Sequence, residues 1–198
     1  MKEILLKALR RRPPSRLPLN GYRPCAVLVP IFLRRSTYHV LYIQRSVKLR
    51  DHAGQIGFPG GRREEWDHDL LQTALRETEE ELGIPSSHIE VLGELSEILT
   101  PTHYCVKPFV AMIPEPLALK IDPKEVEGLI EVPLAHLLNP KNLTVEPLEF
   151  FDPSFEMPSF HYKQHVIWGA TGRMTRELVD LLKKTKNRNQ DFLALQSI

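Results

Sequence analysis

The sequence predicts an α/β protein in which a mixed β-sheet carries helices on its faces. Two observations lead to this prediction. Short runs rich in β-branched and aromatic residues, typical of strands, are separated by segments whose apolar residues recur at helical spacing. Their order along the chain is several strands, a helix, more strands and a second long helix, which favours a mixed sheet with helices packed against it.

Length and composition indicate one domain over residues 1–198, with its core at about 25–182. The chain has 198 residues, 42% hydrophobic and 26% charged, as in soluble globular proteins. Its 26 basic and 25 acidic residues nearly balance, so we expect neither nucleic acid nor a membrane as partner. No apolar run reaches the roughly 20 residues of a membrane span. Cys25 and Cys105 lie in apolar runs and indicate reduced thiols, so we expect a cytoplasmic protein.

The elements follow from local patterns. Residues 2–11 predict a short amphipathic helix rather than a targeting peptide, because Glu3 and the scarcity of serine disagree with a leader. Strands are predicted at 25–33, 38–45, 89–99, 105–114 and 126–134, and further helices at 70–82, 133–138 and 169–184. The helix at 70–82 has Asp69 as its N-cap and ends at Gly83.

This central helix has an apolar stripe and an acidic face. The stripe consists of Leu71, Ala74, Leu75, Thr78 and Leu82. Glu77, Glu80 and Glu81 stand at i, i+3 and i+4 on one face, which we expect to lie away from the stripe. Three carboxylates on one face repel each other unless a cation lies among them, and oxygen ligands at this density suit Mg²⁺ or Mn²⁺. A solvated acidic face is the alternative interpretation.

The loop before the helix favours the metal hypothesis. Gly60 and Gly61 of "FPGG" let the backbone approach closely, and Gly60 can offer its carbonyl to the same metal. Arg76 can hold a neighbouring carboxylate through a bidentate pair. A metal held next to an open loop is suited to bringing water onto a phosphate.

The segment ending in "ALRETEEELGI" resembles the Nudix box, commonly written G-x5-E-x7-R-E-U-x-E-E-x-G-U with U aliphatic. The matching residues are Arg76, Glu77, Glu80, Glu81, Gly83 and Ile84, whereas Thr78 replaces an aliphatic residue. The resemblance implies the Nudix fold, an α/β/α sandwich, and hydrolysis of a nucleoside diphosphate linked to another moiety. It also implies that Glu77, Glu80 and Glu81 bind the metal. Where the pattern has its first Glu, this chain has His68, flanked by Asp67 and Asp69, and the loop is one residue longer.

The preceding segment, "QRSVKLRDHAGQIGFPGG", resembles the signature R-[SA]-x3-R-x3-G-x3-F-P-G-G of the coenzyme A pyrophosphatase branch of Nudix enzymes. The matching residues are Arg45, Ser46, Arg50, Gly54, Phe58, Pro59, Gly60 and Gly61. That branch also has the longer loop in its box. The resemblance covers about residues 25–182 and implies cleavage of coenzyme A to 3′,5′-ADP and 4′-phosphopantetheine.

Cationic residues in the signature give separate support for a substrate with several phosphates. Arg45, Lys48 and Arg50 lie directly before the glycine loop, and guanidinium groups bind phosphate oxygens as a fork. The predicted substrate-binding residues are therefore Arg45, Lys48 and Arg50, together with Phe58, Gly60 and Gly61 from the signature. Tyr104 is our candidate for stacking on adenine, with Phe109 and Trp168 as alternatives.

The sequence leaves several choices open. Glu80 is expected to accept the proton of the attacking water, with Glu97 as the alternative and Arg76 as a supporting catalytic residue. A Nudix hydrolase of broader range, acting on ADP-ribose, dinucleotides or damaged nucleotides, is the second functional hypothesis. A non-catalytic binding module is disfavoured, since a binder has no need of mutually repelling glutamates. The oligomeric state is undetermined, with a homodimer as one alternative.

Overall fold

The computed structural model describes residues 1–11, 13–49, 51–115, 119–147 and 156–186. Its helices are α1 (Lys2–Arg10), α2 (Leu70–Leu82), α3 (Leu134–Leu138) and α4 (Gly169–Lys186). Its strands are β1 (Arg23–Arg34), β2 (Thr37–Arg45), β3 (Ile56–Gly57), β4 (Gly60–Arg62), β5 (Glu90–Glu94), β6 (Ile98–Leu99), β7 (Tyr104–Met112), β8 (Val126–Pro133), β9 (Leu143–Pro147), β10 (Glu156–Tyr162) and β11 (His165–Ile167). No helix in these ranges is long and apolar enough to cross a membrane.

The main sheet is mixed and is built around β1. This strand runs parallel to β7 along most of its length, from Arg23 opposite Tyr104 to Ile31 opposite Met112. Its other edge pairs antiparallel with β4 near its start and with β2 near its end. The strand order is β3-β2-β1-β7-β5, with β8 on β2 and β6 on β7, while β9, β10 and β11 form a separate antiparallel sheet. The short strand β4 thus lies beside the first residues of β1.

Helices cover both faces of the main sheet. Because side chains alternate along a strand, Leu28 of β1 packs with Ala74 and Leu82 of α2, whereas Val29 belongs to the opposite core. That second core contains residues of α1, α3 and α4, among them Leu5 and Leu178. The predicted α/β/α sandwich is therefore confirmed.

The boundaries of the central helix match its predicted range. The Asp69 carboxylate accepts a hydrogen bond from the Gln72 N–H at 2.8 Å, and Gly83 ends the helix in the left-handed conformation at φ 67°. The predicted apolar stripe needs correction. Thr73 and Glu81 are buried with Ala74, Thr78 and Leu82, whereas Leu71 and Leu75 are only half-buried.

Strand predictions succeeded where apolar runs were long and failed where they were short. All five predicted strands exist, but the run at 89–99 is divided into β5 and β6. Residues 95–97 leave the sheet between these strands, and the Glu97 N–H donates to the Ser15 carbonyl at 3.0 Å. β3, β4 and the whole second sheet were not predicted from the sequence.

Candidate active site

Glu81 is the most deeply buried of the helix glutamates. Its side chain is 1% exposed, and its Oε2 accepts a hydrogen bond of 2.9 Å from the Gly60 N–H. Its Oε1 lies 3.8 Å from Nη1 of Arg45. Burial raises the pKa of Glu81 to about 8, although the Gly60 N–H and Arg45 both act to lower it. One carboxylate of the acidic face thus points into the protein, against the glycine loop.

The two glycines of this loop serve different purposes. Gly60 has φ 145°, and a Cβ there would lie 2.3 Å from the Ala26 carbonyl oxygen of β1. A Cβ on Gly61 would lie 2.4–2.6 Å from the carboxyl atoms of Glu77. Gly60 therefore permits a backbone conformation that other residues rarely adopt, and Gly61 leaves room for a carboxylate. The proposed ligand role of the Gly60 carbonyl stays a prediction.

Arg76 links the helix to the loop before it. Its Nε and Nη2 donate to the two carboxylate oxygens of Asp67, each at 3.0 Å. Its Nη1 forms ion pairs with Glu77 at 2.9 Å and Glu80 at 3.0 Å, and Nη2 also donates to the Arg62 carbonyl at 3.1 Å. Arg76 therefore fixes the orientation of two acidic side chains of α2. It is itself held by Asp67, which lies in the loop before the helix.

Asp67, rather than His68 or Asp69, is the carboxylate of this loop that pairs with Arg76. The His68 side chain is 93% exposed, and Asp69 caps the helix, so neither faces Arg76. Asp67 is buried and also accepts hydrogen bonds from the Glu64 N–H and the Thr73 hydroxyl, both at 2.9 Å. Hydrogen bonds from Arg76 are the main reason that the pKa of Asp67 falls to about 2. The sequence pattern located the segment, but only the loop geometry identifies the residue.

A carboxylate from outside the helix adds to the negative potential of the site. The pKa of Glu77 is raised chiefly by burial, opposed by Arg76 and reinforced by Glu80 and Glu125. Glu125, the residue before β8, also contributes to the raised pKa of Glu81. Glu125 was not predicted from the sequence, because it lies far along the chain in a loop without a recognisable motif.

The cationic residues of the signature are placed differently from one another. Arg45 ends β2 next to Glu81, and its Nε is buried without a hydrogen-bond partner in the part of the chain that the structure describes. Lys48 is exposed in the following loop. Arg50, the third predicted cation, lies outside the described residues. Of the two predicted cations that the structure describes, Arg45 is therefore the one that lies at the acidic site.

Three other predicted residues have contacts that do not match their expected roles. Phe58 is buried in the core and stacks on Tyr42 at 4.8 Å, so it presents no surface to a substrate. The buried ring of Tyr104 lies beneath two arginine side chains and is not free for adenine. Both carboxylate oxygens of Glu97 already accept hydrogen bonds, from Arg16 at 3.3 Å and from the Leu17 N–H at 2.7 Å. Glu97 thus anchors the N-terminal segment instead of facing solvent as a free base.

Comparison with known proteins identifies the family. The NUDIX domain profile matches residues 23–152. The chain belongs to the Nudix family. A protein of Photorhabdus laumondii, named uncharacterized Nudix hydrolase NudL, is 37% identical over 166 residues, which span 84% of this chain and 88% of that protein. A Shigella flexneri protein of the same name is 40% identical over 83% of this chain and 84% of its own length.

A solved Nudix structure resembles part of the chain. The crystal structure of a Caenorhabditis elegans Ap4A hydrolase binary complex has a TM-score of 0.49 and 20% identity, over 56% of this chain and 80% of that one. Membership of the family, shown by the domain and the relatives, makes this chain a Nudix hydrolase that acts on pyrophosphate bonds.

Nudix hydrolases generally use divalent metal ions such as Mg²⁺ or Mn²⁺. The donors on α2 suit such ions, because they are carboxylate oxygens and because two of them, on Glu77 and Glu81, have pKa values raised by burial and mutual repulsion. A cation would favour their charged forms. Over the described ranges, however, no three acidic, histidine or cysteine side chains converge closely enough to hold an ion. Glu80 instead turns toward Arg76.

Proposed function

We propose that this Nudix hydrolase cleaves the diphosphate of coenzyme A or its derivatives, giving 3′,5′-ADP and 4′-phosphopantetheine or its acylated form. The supporting observation is that two residues of the signature segment both contact the carboxylate of Glu81. Arg45, near the beginning of the segment, lies 3.8 Å from Glu81, and Gly60, near its end, donates its N–H to the same side chain at 2.9 Å. Residues of the coenzyme A signature thus contact a glutamate of the Nudix box.

Arg45 is well placed to bind the diphosphate. Its Nε–H is buried and unpaired within the described structure, and a buried donor without a partner is costly. Its contact with Glu81 is a long ion pair, so guanidinium donors remain for phosphate oxygens. Lys48 and Arg50, which follow Arg45 in the sequence, are proposed to bind other oxygens of the substrate. A site with this much positive charge suits coenzyme A, which carries a phosphate monoester as well as a diphosphate.

The remaining roles follow from the contacts of α2. Glu77, Glu80 and Glu81, with the Gly60 carbonyl, would hold Mg²⁺ or Mn²⁺ after Glu80 turns from Arg76 toward the other two carboxylates. The ion would neutralise charge on the diphosphate and acidify an attacking water. Arg76 would keep Glu77 in position through its ion pair. Glu80 is the most exposed of the three and is proposed to accept the proton from water.

We also propose that the enzyme works in the cytoplasm. Cys25 and Cys105 are both free thiols. A chain whose cysteines form no disulfide is typical of a reducing compartment.

The deciding experiment is an assay of the purified protein with Mg²⁺ or Mn²⁺ on coenzyme A, ADP-ribose and a dinucleotide, with product masses read directly. Release of 3′,5′-ADP and phosphopantetheine supports the proposal. Efficient release of AMP from ADP-ribose without cleavage of coenzyme A would favour the broader-range alternative. Absence of metal-dependent turnover on every substrate would favour a binding module. Glu81→Gln serves as the matched inactive control.

A further inference from the structure

Two arginines lie against a single tyrosine ring on the sheet face opposite α2. The guanidinium carbons of Arg23 and Arg62 lie 4.5 Å and 5.0 Å from the ring centroid of Tyr104. Arg23 begins β1, Tyr104 begins β7 next to it, and Arg62 ends β4 on the other side of β1. Three adjacent strands therefore bring these side chains together, and both arginines are exposed to solvent while the ring is buried.

The charges of this cluster are poorly compensated. Arg62 forms one exposed ion pair, with Asp51 at 3.1 Å, and such pairs are weak. No carboxylate of the described residues pairs with the Arg23 side chain. The Tyr104 hydroxyl is buried and has no hydrogen-bond partner in the same part of the chain. Two cations over one ring repel each other, and stacking on the ring offsets this only in part. An anion with several oxygens would satisfy both guanidinium groups.

The cluster and the active site lie at adjacent residues of β4, on opposite faces of the strand. Gly61 faces the Glu77 carboxylate, and because side chains alternate along a strand, Arg62 points to the other face of β4. Consecutive Cα atoms are only about 3.8 Å apart. Within the described structure β4 pairs with β1 alone, so its outer edge carries no second strand. Arg76 lies on this edge, because its Nη2 donates to the Arg62 carbonyl at 3.1 Å. A nucleotide with its diphosphate near Glu77 would therefore cross the edge beside Arg76 to place a further phosphate at Arg62.

We propose that Arg23, Arg62 and the Tyr104 hydroxyl form a subsite for a phosphate monoester of the substrate. If the substrate is coenzyme A, as proposed above, this group is its 3′-phosphate. A doubly charged phosphate has enough acceptor oxygens for two guanidinium groups and a phenol. The subsite thus gives Tyr104 a role in substrate binding different from stacking on adenine.

Equilibrium binding tests the subsite without catalysis. Calorimetry without metal ions would compare 3′,5′-ADP, 5′-AMP and inorganic phosphate. We expect wild-type protein to bind 3′,5′-ADP at least about tenfold more tightly than 5′-AMP. Arg23→Gln and Arg62→Gln should each remove most of that preference. Tyr104→Phe, which keeps the ring and removes only the hydroxyl, should weaken 3′,5′-ADP binding by a smaller factor.

Arg35→Gln is the matched control, because Arg35 is exposed in the turn after the opposite end of β1. It should bind all three ligands as the wild type does. If the Arg23 and Arg62 variants keep the full preference for 3′,5′-ADP, the subsite does not exist. If inorganic phosphate binds as tightly as 3′,5′-ADP, recognition of a nucleotide phosphate is refuted. Thermal unfolding of each variant separates lost binding from lost folding, and Tyr104→Phe provides a test that keeps the packing.

Kinetics separate this proposal from the proposed function. Arg62→Gln should lower kcat/KM for coenzyme A by about ten- to a hundredfold and have a much smaller effect on dephospho-coenzyme A, which lacks the 3′-phosphate. Equal losses on both substrates would overturn the assignment. If the wild type cleaves neither compound, the proposed function fails, whereas the calorimetric comparison still decides whether the subsite exists.

Discussion

Replacing Asp67 by asparagine tests how far the active-site helix depends on one buried carboxylate. The Asp67 side chain is fully buried, and both of its oxygens accept hydrogen bonds from Arg76 at 3.0 Å. Asparagine has nearly the same volume, but its amide group would direct N–H donors at the guanidinium donors. The substitution therefore leaves Arg76, which is mostly buried, without its main counter-charge.

Removing one partner of a buried pair usually costs about 3–5 kcal/mol, and we expect Asp67→Asn to lose about 3 kcal/mol at pH 7. The pH dependence gives a second measure. The folded pKa of about 2 lies below the ordinary value of 3.8, so the stabilisation is complete above pH 4 and is lost as the pH falls through 2. The difference corresponds to about 2 kcal/mol, of which about 1 kcal/mol should be lost at pH 3.

Urea unfolding at pH 7 and pH 3 measures both effects. The matched control is Asp180→Asn, which removes the partner of Arg176 in an exposed ion pair on α4 at 2.9 Å. Exposed pairs of this kind contribute at most about 1 kcal/mol. The reasoning is refuted if both variants lose the same stability at pH 7, or if the gap between wild type and Asp67→Asn does not narrow in acid.

Three further substitutions test the active site. Glu81→Gln removes a carboxylate whose pKa is raised to about 8 by burial. We expect this variant to have no turnover and, without metal, a melting temperature at or above that of the wild type. Near-normal rates at limiting Mg²⁺ would exclude Glu81 as a ligand. Arg45→Lys should lower kcat/KM about ten- to a hundredfold. The loss should be equal for coenzyme A and dephospho-coenzyme A, because Arg45 faces Glu81. A loss confined to coenzyme A would place Arg45 at the 3′-phosphate. Gly61→Ala puts a methyl group 2.4–2.6 Å from the Glu77 carboxyl and should reduce turnover about a hundredfold. The control is Gly57→Ala, whose methyl group has no atom within 4 Å. Equal activities of the two variants would contradict the steric argument.

The sequence predicted α2 well because the information is local. An N-cap at Asp69 and a left-handed stop at Gly83 suffice to define the ends of the helix, whereas apolar spacing did not predict its buried face correctly. The strand β4 has no such pattern, since "GGR" contains no β-forming side chain, and its pairing with β1 is a tertiary contact. The carboxylate partner of Arg76 could not be predicted from the sequence either. The longer loop shifts the positions of its acidic residues relative to the box pattern and lets Asp67 fold inward.

The acidic face of α2 shows why the sequence could identify the glutamates but not their separate roles. Side-chain exposure rises along this face from 1% at Glu81 through 15% at Glu77 to 57% at Glu80, because the helix lies with one edge against the sheet and the other in solvent. Arg76 compensates the two outer carboxylates at 2.9–3.0 Å. Glu81 accepts a hydrogen bond from the Gly60 N–H but has only a long contact with a cation, Arg45, so its charge is the least compensated of the three and lies beside the glycine loop. Under the proposed function, a cation bound here would relieve the cost of burying this charge beside the diphosphate, so the repulsion among the glutamates would contribute to metal affinity.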